Sequence, residues 1–166
     1  MRPYRYWSGQ MNRHRGKGPG LMGRSIEKLS SNKSRIAVLY GCIAAGSVLG
    51  GLARYLLSLL IQFGSPFPWA TLFVNVTGSF IIGFYNTLSA PDGRLFASAQ
   101  QRQFVMTGFC GGYTTFSTFS LETVTLLGSG MRQTALVNIA ISLISWVVAV
   151  WVGHLLADRL NRLKGS

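Results

Sequence analysis

The sequence predicts an all-α membrane protein with four transmembrane helices, and three observations carry that prediction. Four largely apolar runs are each long enough to cross ~30 Å of hydrocarbon, which takes ~20 residues of helix. Acidic residues are confined to Glu27, Asp92, Glu122 and Asp158 in a chain with ten Phe, twenty Gly and four Trp, a balance suited to lipid-facing helices and not to a water-facing surface. The connections between the runs are short and rich in turn-forming residues.

The first run extends from about Ile36 to Phe63. The sequence FGSPFP, with Pro66 and Pro68, separates it from the second, Trp69 to Ser89. SAPDGR, with Pro91 and Gly93, leads to the third, Ser98 to Leu127, and GSGMR to the fourth, Gln133 to Ala157. Residues 35–158 are therefore expected to form one four-helix domain with the third helix broken, followed by a short basic tail, 159–166.

The formal charge of +12 raises nucleic-acid binding as a reading, and the positions of the charges exclude it. Arg2, Arg5, Arg13, Arg15, Lys17, Arg24, Lys28, Lys33 and Arg35 precede the first apolar run, so the basicity belongs to a tail. Residues 1–34, rich in Gly, Ser, Arg and Lys and punctuated by Pro3 and Pro19, carry no sustained period and are expected to be disordered. Two readings of that tail stand: attraction to anionic lipid headgroups, or an extension without function, with Met22 as an alternative start. Apart from it, Arg35, Arg94, Arg102, Arg159, Arg162 and Lys164 fall on one side of the bilayer and Arg132 on the other, which puts both termini in the cytoplasm. Cys42 and Cys110 lie among small apolar residues and read as core thiols.

Polar groups within hydrocarbon are costly and mark protein interiors or water-filled paths. In the second run Thr71, Asn75, Ser79 and Gly83 recur every four residues and form one stripe, with Gly78 beside it. Ser79 and Gly83 read as a close helix contact. Asn75 is different, because an unpaired amide in a membrane costs several kcal/mol. In the first run Gly46 and Gly50 have the spacing of a close helix crossing, with Gly51 adjacent. Arg54, one turn on, either snorkels to the interface or lines a vestibule that attracts anions. The third run contains GFCGGYTTFSTFSLE from Gly108 to Glu122, where Gly108, Gly111 and Gly112 invite a break in the helix. Such breaks persist at membrane depth only where they are buried in protein or line a cavity, and their freed carbonyls commonly hold a cation. Phe116 and Phe119 share a face there, for which packing is the simpler reading.

GGLARY (Gly50 to Tyr55), NVTGSF (Asn75 to Phe80) and GFCGGYTTFSTFSLE, in that order and in separate runs, resemble the CrcB/Fluc family of bacterial fluoride channels over about Ile36 to Ala157. The resemblance implies an antiparallel homodimer, or a heterodimer with an oppositely oriented paralogue, in the bacterial inner membrane. It further implies two fluoride pathways and a structural, untransported Na+ held by the backbone carbonyls of Gly111 and Thr114. Asn75, Phe116 and Phe119 would line the fluoride path, with Ser117, Thr118 and Ser142 continuing it and Thr71 supporting Asn75. Glu122 matches an acidic position of the family; a carboxylate beside a permeant anion calls for pairing, protonation or a hydrogen bond. Asn138 stands where many relatives carry tyrosine, and the charge bias is stronger than in members that insert both ways.

The rival readings are a small multidrug-resistance-type transporter, which needs a carboxylate that the first run lacks, and a non-transporting membrane subunit, which leaves GGYTTFSTF unexplained. An enzyme is not expected: no nucleophile, base and metal ligand come together as a constellation. With no phosphate-binding loop and no proton relay, an electrochemical gradient has to drive the ion.

Overall fold

The computed structural model describes residues 21–61, 64–91 and 93–163, with side chains from residue 32. The chain divides into two compact units, 1–35 and Ile36–Ser166, and the second carries the helix crossings and the cavities. The regular structure among the described residues is all helical, without strands: α1 (Leu21–Leu60), α2 (Trp69–Leu88), α3 (Ala99–Gln103), a π-helical stretch (Phe104–Cys110), α4 (Gly111–Tyr113), α5 (Phe116–Gly128) and α6 (Arg132–Arg162).

Of the segment 1–34 expected to be disordered, residues 1–20 lie outside the described residues and Leu21 onward is helical. A helix nucleated by an apolar run extends at little cost, and no proline lies between Pro19 and Pro66 to stop it. At the other end α6 runs on to Arg162, into the expected tail. Two stretches, Asn32–Leu60 and Arg132–Arg162, are long and apolar enough to cross a membrane by themselves, with mean hydropathies of 1.9 and 2.3, and little of either is buried in the chain. The second expected span has the length but is diluted by Thr71, Asn75, Thr77, Ser79, Asn86 and Thr87. The third is divided into pieces that are individually too short.

Small residues set the two closest crossings. A Cβ on Gly46 would meet the Phe104 carbonyl oxygen and one on Gly50 that of Phe109, while a Cβ on Gly112 would strike the Ser47 carbonyl oxygen. Gly108 in turn lies against Ile43 and Gly46. Two GxxxG faces therefore meet, one on α1 and one at 108–112, and backbone approaches backbone. The same device joins α2 to α6, where a Cβ on Gly83 would fall on the Val150 carbonyl oxygen and one on Gly153 on that of Phe80. In both crossings residue numbers rise together. Ile43 faces Gly108 and Gly50 faces Tyr113; Gly83 faces Val150 and Thr87 Oγ1 lies 2.7 Å from His154 Nδ1. That is the geometry produced by a chain that crosses back and forth four times. Between α5 and α6 the direction reverses through a turn at Gly130, whose φ of 79° would strain other residues.

At the basic end the loop after α2 is tied down by polar contacts. Arg102 Nη1 donates to Ser89 O at 2.6 Å, Nη2 to Asn86 Oδ1 at 3.1 Å, and the Arg94 amide to Asn161 Oδ1 at 2.9 Å. The Ser98 capping box starts α3. Replacing Gly50 by alanine drives a methyl into the Phe109 carbonyl, whereas Gly41 has open space around it. Gly50→Ala should cost about 1–3 kcal/mol and lower the thermal midpoint in detergent, with Gly41→Ala at or slightly above wild type. Equal midpoints for the two variants would refute the close crossing.

Candidate functional site

The centre of the site is an interruption of helical hydrogen bonding between α4 and α5. Thr114 (φ −78°, ψ 158°) and Thr115 (φ −151°, ψ 117°) are extended, and the helix restarts at Phe116. The expectation that glycines open the helix needs correcting: Gly111 and Gly112 are helical, and Gly108 and Gly112 are small because α1 packs on their backbone. The residue that accommodates the extended pair is Asn75. Its Oδ1 accepts from the Thr115 amide at 2.7 Å and its Nδ2 donates to the Thr115 carbonyl at 2.9 Å, so one buried side chain pairs both peptide groups of one buried residue. Gly78, one turn on, makes room for the Thr114 methyl. The Thr115 hydroxyl accepts from the Thr118 amide at 3.1 Å, caps α5, and lies 2.9 Å from Thr118 Oγ1 and 3.3 Å from Ser117 Oγ.

Two cavities flank this point. The larger, about 590 Å³, is lined by Arg54, Thr71, Thr115, Thr118 and Glu122 among others. The smaller, about 240 Å³, is lined by Asn75, Ser79, Ile82, Thr114, Thr115, Phe116 and Trp146. Thr115 is common to both. In the larger one Thr71 Oγ1 donates to Glu122 Oε1 at 2.8 Å; Thr71 thus supports Glu122 and not Asn75, the partner expected from sequence. The second carboxyl oxygen of Glu122 is buried and finds no partner among the described residues.

The two phenylalanines differ in environment. Phe119 is 6% exposed and Phe116 68% exposed, with ring centroids 5.6 Å apart. Trp146 of α6 stands edge-on to both, at 5.0 Å from Phe119 and 6.5 Å from Phe116. Ser117 is exposed beside them. Ser142 lies apart from both cavity walls, buried inside the chain, where its hydroxyl donates to Asn138 Oδ1 at 3.3 Å. Asn138 Nδ2 donates to Thr123 Oγ1 at 3.0 Å, and Thr123 donates to the Phe119 carbonyl at 2.7 Å. Asn138 thereby ties α6 to the turn that carries Phe119.

Carbonyl oxygens are exposed to new partners at the interruption. In an unbroken helix the Thr115 amide would serve the Gly111 carbonyl, but it is taken by Asn75. The Thr114 carbonyl accepts a long bond, 3.4 Å, from Arg54 Nη1, which leaves Gly111 the less encumbered of the two. Backbone oxygens of this kind are the donor set that hard cations take, so the residues present fit a sodium ion.

Sequence reasoning missed Thr115, Thr123 and Trp146. Thr115 and Thr123 were legible only as further hydroxyls in a hydroxyl-rich run; Trp146 gave no signal within an apolar helix. Asn75→Ala leaves the buried Thr115 amide without a partner, at about 1–3 kcal/mol, and takes from the Thr115 carbonyl a donor additional to the Phe119 amide that it serves as N-cap of α5. Its thermal midpoint in detergent should drop well below that of Ser79→Ala, a change at the same cavity that removes no hydrogen bond found among the described residues. Matching midpoints would dismiss the Asn75 pairing as a stabilising contact.

Comparison with known proteins fits this arrangement. The family described as CrcB-like protein, Camphor Resistance (CrcB), matches residues 41–154. The chain is 67% identical over 132 residues to the protein named fluoride-specific ion channel FluC 1 of Rhodopseudomonas palustris (strain BisB18), covering 78% of this chain and 94% of the relative. It is 58% identical over 137 residues to the protein of the same name from Bradyrhizobium diazoefficiens, covering 82% and 96%. It is also 54% identical over 130 residues to fluoride-specific ion channel FluC of Opitutus terrae, covering 77% and 98%. By the matched length, and by identity maintained across nearly the whole of these relatives, the chain belongs to the CrcB family of membrane proteins.

Proposed function

We infer that this chain is a fluoride-selective ion channel that lets fluoride leave the cytoplasm passively and so lowers its toxicity inside the cell. The observation that carries the reading is the smaller cavity, in which Asn75, Thr115 and Phe116 meet: it is uncharged and lined by amide, hydroxyl and ring-edge hydrogens. Fluoride is a small, strongly hydrated acceptor, and a pore for it has to replace water with donors that hold it without trapping it. Asn75 keeps a second amide hydrogen beyond the one given to Thr115 O. The hydroxyls of Ser117 and Thr118 extend the polar track. The ring edges of Phe116 and Phe119 are electropositive and suit an anion that has shed water. Relatives of up to 67% identity named fluoride-specific channels support the same conclusion. The multidrug-transporter and non-transporting readings are not favoured by any of these features.

An antiparallel dimer in the bacterial inner membrane completes the reading, built from two copies or from this chain and an oppositely oriented paralogue. Phe116 supports it: a phenylalanine 68% exposed beside a polar cavity acquires a wall when a second subunit covers it. A sodium ion bound by the Gly111 and Thr114 carbonyls would supply fixed positive charge that offsets part of the cost of an anion at low dielectric. Arg54, in the larger cavity, draws anions toward its mouth. Glu122 is held by Thr71 at 2.8 Å, which gives one of its carboxyl oxygens a donor. With a negative-inside potential the anion is driven outward without ATP or a proton.

Liposomes loaded with fluoride and carrying the wild-type protein should empty rapidly at a fluoride electrode, and those loaded with chloride should not. Phe116→Ile should slow fluoride efflux roughly tenfold or more, equivalent to about 1.4 kcal/mol on the barrier. Equal efflux of the two anions would overturn fluoride selectivity, and an unchanged rate for Phe116→Ile would remove that residue from the path.

A further inference from the structure

We propose that Trp146 is a donor to fluoride in this pathway, its indole N–H serving as an anion contact opposite Asn75. The inference rests on the channel reading above and goes beyond it, since a tryptophan in α6 is no part of the site expected from sequence.

Three observations on the structure converge on it. Trp146 Nε1 is buried and finds no hydrogen-bond acceptor among the described residues. Buried indole N–H groups are ordinarily paired, and leaving one unpaired in a membrane interior is costly. The ring of Trp146 forms part of the wall of the smaller cavity, with Asn75, Ser79 and Phe116. It also meets both phenylalanines edge to face, at 74° to Phe119 and 67° to Phe116. An unpaired donor thus belongs to the wall of a cavity that also holds the amide of Asn75 and the hydroxyl of Ser79.

Chemistry then identifies the acceptor. The neighbours that the chain does supply, Ser79, Thr114 and Asn75, are tied up or lie beyond hydrogen-bond reach of the indole. A dehydrated fluoride ion is a stronger acceptor than any of them and small enough for a cavity of about 240 Å³. The N–H, buried in this structure, reaches such an ion once the Trp146 side chain turns toward the cavity that it lines. Indole contributes one directed donor and no acceptor, so it holds an anion and repels nothing that the path has to carry. Chloride, larger and a weaker acceptor, gains less from the same N–H. Trp146 is therefore a contact that adds to selectivity as well as to rate.

The test combines flux with a direct view of the N–H. The protein, labelled with 15N at its indole nitrogens, is titrated with sodium fluoride and in parallel with sodium chloride. The Trp146 resonance is assigned by its loss in Trp146→Phe, or by elimination from variants of the other tryptophans if that variant does not fold. A downfield shift of the Trp146 indole proton with fluoride and not with chloride, at constant Trp151 signal, is the expected result. Fluoride efflux from liposomes should fall about tenfold in Trp146→Phe, which keeps an aromatic ring and deletes the donor. A Trp146 signal indifferent to fluoride overturns the proposal even if flux falls, because the ring then acts through packing or through an N–H···π contact with a phenylalanine. Wild-type flux in Trp146→Phe also overturns it. Wild-type protein that passes no fluoride at all defeats the channel reading itself, a result distinct from either of these.

Discussion

Everything at the centre of this protein depends on one side chain that pairs both the amide and the carbonyl of a single residue. An extended residue inside an apolar surrounding leaves an amide that no helix ladder serves, and such a group costs several kcal/mol if left bare. The Thr115 amide and carbonyl are both satisfied by the side chain of Asn75, at 2.7 and 2.9 Å. The primary amide is well suited to this, since it offers an acceptor and a donor side by side with the spacing of a backbone peptide. Because α2 supplies that partner, the helix can stop at Tyr113 and restart at Phe116, which turns Phe116 and Phe119 to their positions and frees the carbonyls behind them.

The surrounding helices are arranged to make this possible without a conventional core. Few large apolar side chains are buried; among the described residues the fully buried positions are held mainly by small or polar side chains such as Cys110, Ala135, Asn138 and Ser142. In lipid the hydrophobic effect does not drive helices together, and close backbone contact and side-chain hydrogen bonds take its place. The GxxxG crossing of α1 with residues 108–112 and the Gly83 and Gly153 crossing of α2 with α6 provide the first. The Asn138, Thr123 and Phe119 chain and the Thr71 bond to Glu122 provide the second. The exposed Arg162 and Asp158 pair adds little to either.

Much of this is legible in the sequence, and the parts that are not have physical reasons. Apolar run length locates the second and third spans within a few residues, because hydrocarbon thickness fixes how long a span has to be, but α1 begins well before the expected Ile36 and α6 ends past Ala157. The fourfold spacing of Thr71, Asn75, Ser79 and Gly83 correctly sets apart one face of α2, since a stripe of small and polar groups in a membrane has few other uses. The glycines of the third run point wrongly to themselves as the cause of the interruption: glycine signals either a flexible backbone or a close neighbour, and only the position of α1 decides between them. Proximity along the helix pairs Thr71 with Asn75, yet a hydroxyl turns to whichever acceptor lies across from it, here Glu122. The π-helical stretch and the edge-on Trp146 depend on packing against other segments and leave no mark in the local pattern.

The pairing of Asn75 with Thr115 also sets a problem of timing during synthesis. The two residues are 40 apart in the chain, and at ~5–20 residues per second the ribosome takes roughly 2–8 s to make the second after the first. Hydroxyls such as those of Thr77, Thr87, Ser89, Ser120, Thr123 and Thr125 bond to carbonyls of their own helix, so these residues enter the bilayer already satisfied. Asn75 has no such local recourse in the finished protein. Over those seconds α2 carries a bare amide, and the insertion machinery or a water-filled vestibule has to shelter it until the next hairpin arrives. The same bond that holds the helix interruption in place thus makes α2 the segment whose entry into the membrane depends most on what is translated after it.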